Sequence, residues 1–140
     1  MSNITTMKTF TADQATRTLP LVSRIVQDIV RLYARWRERV AELELVAAAS
    51  RADDPDPRLV VLERDTQALA ADIDGCIREL HELGVVYKMP FDAGLVDFPA
   101  VLDGRSVYLC WRLGESAVDY WHELEAGYAG RHPLVPQPTH

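Results

Sequence analysis

The chain has 140 residues, a formal net charge of −6, 48% hydrophobic and 26% charged side chains. That length suits one domain, which buries roughly two-thirds of its unfolded surface, and the composition excludes a largely disordered protein. An acidic balance without any basic block also excludes recognition of nucleic-acid phosphates and attachment to an anionic membrane.

The opening "MSNITTMKTF" lacks a basic start followed by an apolar stretch, so it does not read as a signal peptide. No run approaches the roughly 18 apolar residues of a membrane span. A cytoplasmic protein is expected. "TADQ" from Thr11 to Gln14 is a capping-box pattern that starts a helix. Pro20 follows soon after, and its ring clashes with an earlier carbonyl inside a helix, so a kink or restart is predicted there. Val22, Val26, Ile29, Tyr33, Trp36, Val40, Leu43 and Ala47 then alternate steps of four and three, a heptad seam predicting a helix over about 19–49. "SRADDPDPR" at 50–58 breaks the pattern with two prolines and reads as a loop. A second seam, Leu62, Thr66, Leu69, Ile73, Cys76, Leu80 and Leu83, predicts a helix over about 59–83 that stops at Gly84. Two such helices joined by a loop make an antiparallel hairpin.

After Gly84 the period changes to that of strands. "VVYK" at 85–88 reads as a strand, and "LVDFPAVL" and "SVYLCWRL" flank Asp103-Gly104, a strong hairpin signal. Pro99 predicts an edge or broken strand. A last helix is expected from Gly114–Ser116 to about Ala126, with Gly127 ending it, and the tail "HPLVPQPTH" should be extended or frayed. The expected fold is therefore α+β: a long antiparallel helical hairpin followed by a small antiparallel β-sheet and a C-terminal helix. It forms one domain, with the hairpin over 1–84, the β-hairpin and helix over 85–134, and the tail over 135–140.

Residues with chemical capacity concentrate after residue 88. On the expected last helix Glu115, Asp119 and His122 share a face, while Glu123 points about 100° away from His122. Imidazole with carboxylates suits iron, manganese or zinc, although the spacing is not His-Glu-x-x-His. The competing reading is a structural histidine held by a neighbouring carboxylate or carbonyl, with Glu115 merely complementing a helix dipole. Arg105 follows the hairpin glycine. Arg131, in "GYAGRHP", is aimed by the glycines around it at Asp97 or at an anion. Trp111 and Trp121, core aromatics or stacking platforms, complete the candidate cofactor set. Cys76 and Cys110 have no short-spaced partner and read as buried free thiols in a reducing compartment.

"FTADQATRTLPLV", "GLVDFPA", "GRSVYLCWRLGE", "YWHE" and "GYAGRHPL" together resemble the bacterial family catalogued as domain of unknown function 2203, over about Phe10 to Leu134. The resemblance brings no established activity. It implies matched positions at Asp97, Arg105, Trp111, Gly114, Glu115, Trp121, His122 and Arg131, with Cys110 inside the matched stretch. Asp119 lies outside the motif, so the emphasis moves to Glu115 and His122 with Asp97. The leading expectation is a mononuclear iron or zinc site using His122 and Glu115, completed by Asp97 or Glu123. The alternative is a non-enzymatic homo-oligomeric module with a pocket for a small anion or cofactor around Arg105 and Arg131. Whether the protein is an enzyme stays open. The length of the hairpin relative to its small cap predicts a two-fold homodimer.

Overall fold

A computed structural model describes residues 8–134. The signal-peptide reading and the tail at 135–140 thus fall wholly or largely outside the described residues. Helix α1 spans Ala12–Ala49 and helix α2 spans Arg58–Glu82. Thr11 caps α1 as expected: its hydroxyl accepts from Gln14 N at 3.1 Å and Gln14 Oε1 accepts from Thr11 N at 3.0 Å. The predicted break at Pro20 does not occur, and α1 continues through it. Pro20 lies on the exposed face while Ala15, Leu19 and Val22 are buried on the other. The ring therefore removes one solvent-side hydrogen bond, and burial of the opposite stripe offsets that loss.

The helices pack side by side as an antiparallel hairpin, with Asp28 near Glu79 and Trp36 near Ala70. The near half of the first seam is deeply buried at Val22, Val26 and Ile29. Farther out, Tyr33, Trp36, Val40 and Leu43 are only half-buried, and Val46 replaces the exposed Ala47 at the seam's end. In α2, Leu62, Thr66, Leu69, Ile73 and Leu80 are buried.

Five strands follow as a simple antiparallel meander: β1 Val86–Lys88, β2 Leu95–Leu102, β3 Arg105–Arg112, β4 Tyr120–His122 and β5 His132–Pro133, in that spatial order. Asp103 (φ 50°) and Gly104 (φ 78°) both take left-handed backbone and join β2 to β3, as the Asp-Gly pair requires. Pro99 does not end β2, which pairs through it with Tyr108, and on its other side, beyond the end of β1, β2 is an edge there, as the proline predicts. Its carbonyl faces away from β3 and accepts from Phe10 N at 2.8 Å, and β1 has already ended at Asp97. The missing N–H of Pro99 faces that same way, so no ladder bond is lost.

The expected C-terminal helix is absent among the described residues: Tyr120–His122 is a strand and only a single 3-10 turn, Tyr128–Gly130, follows it. Backbone groups of this stretch find partners elsewhere. Val118 N donates to Thr16 Oγ1 of α1 at 3.0 Å, Glu115 O accepts from Trp111 Nε1 at 2.9 Å, and Leu134 N donates to Asp119 O at 2.8 Å. Tyr-Trp-His is also a run that suits a pleated surface. Consequently Glu115, Asp119 and His122 do not share a helix face.

Strand alternation gives the sheet two chemically different faces. Val96, Phe98, Ala100, Val107, Leu109 and Trp111 turn towards the helices and form one core with Val22, Val26, Ile29 and Leu80. Asp97, Cys110 and His122 turn the other way, beneath the segment from Gly127 to Arg131.

Candidate metal centre

Three strands place three donors together. Asp97 on β2 sits directly opposite Cys110 on β3, and His122 on β4 pairs with Tyr108, two residues from Cys110 on the same face. One ligand atom from each of Asp97, Cys110 and His122 lies within 4.8 Å of the other two, and all three residues are buried. His122 Nδ1 is 2.7 Å from the carbonyl oxygen of Glu123, and its Nε2 is 3.0 Å from Asp97 Oδ1. A carbonyl only accepts, so Nδ1 carries a proton and Nε2 is turned towards the carboxylate. A backbone carbonyl behind a ring whose other nitrogen faces anionic donors is the usual support of a metal-binding histidine.

The second carboxylate oxygen, Asp97 Oδ2, is buried without a hydrogen-bond partner among the described residues. The nearest cation is Lys88 Nζ, 3.8 Å away. Burial raises the Asp97 pKa above its ordinary value, against the opposing pull of His122 and Lys88. Burial likewise pushes the Cys110 thiol up to about 11; Asp97 adds to the rise and Arg131 opposes it. A divalent ion would reverse both penalties, because it favours the anionic form of each ligand. Beside the three donors is a cavity of about 80 Å³, walled by Lys88, Met89, Leu95 and Tyr128.

The other residues singled out in the sequence go elsewhere. Glu115 is not in the cluster: its carboxylate pairs with both terminal nitrogens of Arg131 and accepts from Arg112 N at 2.9 Å. Glu123 contributes its backbone carbonyl to His122, while its side chain pairs with Arg105 at 3.1 Å. Arg131 is aimed neither at Asp97 nor at a free anion. Its guanidinium lies between the rings of Tyr120 and Tyr128, 3.9 and 4.2 Å from their centroids. Burial works against its charge, yet the Glu115 carboxylate holds its pKa above the ordinary value. Trp111 is buried in the helix-facing core, and the half-buried Trp121 packs against that same core with Arg105 over its ring. An anion pocket formed by Arg105 and Arg131 is therefore not what the fold builds, since a carboxylate already neutralises each. Cys110, read from the sequence as a buried free thiol within the matched stretch, and Lys88 were not assigned to the site. Period-two alternation through Tyr108, Cys110 and Arg112 would have placed the thiol on the polar face; Lys88 needed the β1–β2 register.

A family model described as uncharacterized conserved protein (DUF2203) matches residues 8–134. The chain belongs to this family. No curated protein and no solved structure matches it. The matched span contains all three donors and Lys88, and no helix among the described residues is long and apolar enough to cross a membrane.

Proposed function

We propose that the protein binds one divalent metal ion, zinc before iron, through Asp97, Cys110 and His122. The observation that carries this reading is the buried Asp97 Oδ2, without a hydrogen bond among the described residues, beside a thiol and an imidazole whose rear nitrogen is already held by a carbonyl. A borderline-soft ion suits thiolate, imidazole and carboxylate together, and three protein ligands on zinc leave one position open. In this reading Cys110 stands where Glu115 was expected beside His122, and of the two residues expected to complete the shell Asp97 stays and Glu123 does not. Binding would release the thiol proton to solvent and leave the carboxylate charged. The test is metal analysis of untagged protein, followed by cobalt(II) loading. A thiolate-to-cobalt charge-transfer band should form, vanish in Cys110→Ala, and weaken at least about 100-fold in affinity in His122→Ala. Less than a tenth of an equivalent of metal after reconstitution would sink the reading, leaving Asp97 and His122 as a structural pair.

A two-fold homodimer through the outer half of the hairpin is the second reading. Leu45, Val60 and Val61 there are exposed, and Tyr33, Trp36, Val40 and Leu43 stay half-open in the single chain. Light scattering at micromolar concentration should give twice the 15.8 kDa chain mass; the chain mass itself would reject it.

A further inference from the structure

We propose that the cavity beside Asp97, Cys110 and His122 is a binding site for a small anion, which takes the open position of the metal and is held on its far side by Lys88. This rests on the metal reading above. A divalent ion is balanced by the Asp97 and Cys110 anions, so the centre itself is neutral. Arg131 and Arg105 are matched by Glu115 and Glu123. Among the described residues that line this cavity, Lys88 is then the cation left over; Arg112 lies against the Tyr128 ring without lining it. Lys88 Nζ lies 3.8 Å from Asp97 Oδ2, and its side chain is 43% exposed where the cavity meets solvent. Once a metal takes the carboxylate, the ammonium loses its only close acidic partner among the described residues and is free to turn to another.

The walls sharpen the choice of ligand. Leu95 and the Tyr128 ring give the cavity largely apolar walls, while Met89 is itself 67% exposed. A volume of about 80 Å³ compares with about 30 Å³ for one water in the liquid. That suits an anion of three or four non-hydrogen atoms, of the size of formate or bicarbonate, better than an aromatic acid or a peptide. The ligand class is thus a small monoanion, bound by metal coordination at one end and a charge-assisted hydrogen bond from an ammonium at the other.

The experiment uses the cobalt(II)-loaded full chain and titrates azide, formate and benzoate while following the visible ligand-field bands. Azide and formate should shift those bands saturably, and benzoate should not. Lys88→Ala should weaken azide at least about tenfold, the usual worth of a hydrogen bond to a charged group, with the thiolate-to-cobalt band unchanged; Lys88→Arg should restore most of the affinity. Bands indifferent to azide while the thiolate-to-cobalt band is present would overturn this proposal and leave the metal reading standing. Equal azide affinity in Lys88→Ala would overturn the role of Lys88. A protein that never develops the thiolate-to-cobalt band defeats the metal reading and this inference with it.

Discussion

The two faces of the sheet are cut from the same strands and differ residue by residue. On β2, Val96 and Phe98 lie against the helices while Asp97 between them faces the opposite way; on β3, Leu109 and Trp111 flank Cys110 in the same manner. At their centres both faces are buried, Phe98 being 0% exposed and Asp97 1%, although Val101, Ser106 and Arg112 on the outer face are exposed. What covers them differs. Two long helices cover the first face with apolar side chains. The segment after β4 covers the second with Tyr128, a glycine and Arg131, whose partner Glu115 comes from the β3–β4 connection. The first face stabilises the fold through apolar burial. The second buries a carboxylate, a thiol and an imidazole with one oxygen that has no hydrogen bond among the described residues, a stability cost that a bound cation would offset.

Truncation should separate the faces most sharply. Phe98 meets Phe10 edge to face at 5.1 Å within the core, so Phe98→Ala should cost ~3–5 kcal/mol. Cys110→Ala, on the neighbouring strand but the outer face, should cost about 1 kcal/mol in metal-free protein, near the value of one buried methylene-sized group. Urea unfolding in chelator checks both. Equal losses would mean that the outer face is packed for stability like the inner one.

A smaller effect of opposite sign is expected at Asp97. Burial raises its folded-state pKa above the unfolded value. Its stabilising contribution is therefore fully present below the unfolded carboxylate pKa and is lost as pH rises through the raised folded value. Asparagine keeps the shape and does not titrate. Metal-free Asp97→Asn should thus be more stable than wild type at neutral pH, because no carboxylate charge is then buried, and should lack that pH-dependent decline. Saturating zinc should reverse the order. A metal-free Asn variant that is weaker than wild type at neutral pH would show that His122 and Lys88 already satisfy the carboxylate.

The least effect belongs to Arg105. Its pair with Glu123 is about half exposed on both sides, so Arg105→Ala should change stability by less than about 1 kcal/mol and leave metal content untouched. A loss of metal in that variant would extend the site to the sheet's edge and return Arg105 to the binding set.

Much of this was legible in the chain. The heptad seams, the Thr11–Gln14 capping box and the Asp103-Gly104 turn are local signals, set by periods and dihedral preferences that operate within a few residues, and the hairpin and the β2–β3 ladder follow from them. Tertiary partners decided the rest. The stretch from Glu115 to His122 carries a spacing compatible with a helix, but Thr16, Trp111 and Leu134 take up its backbone groups and β3 offers it an open edge. As a strand it alternates by half a turn, which sends Trp121 to the helix-facing core and His122 to the other face. Asp97 and His122 were both named from the sequence, yet their separation of 25 positions says nothing about distance. Register across three strands brings Asp97, Cys110 and His122 together, and register is a property of the assembled sheet rather than of any segment within it.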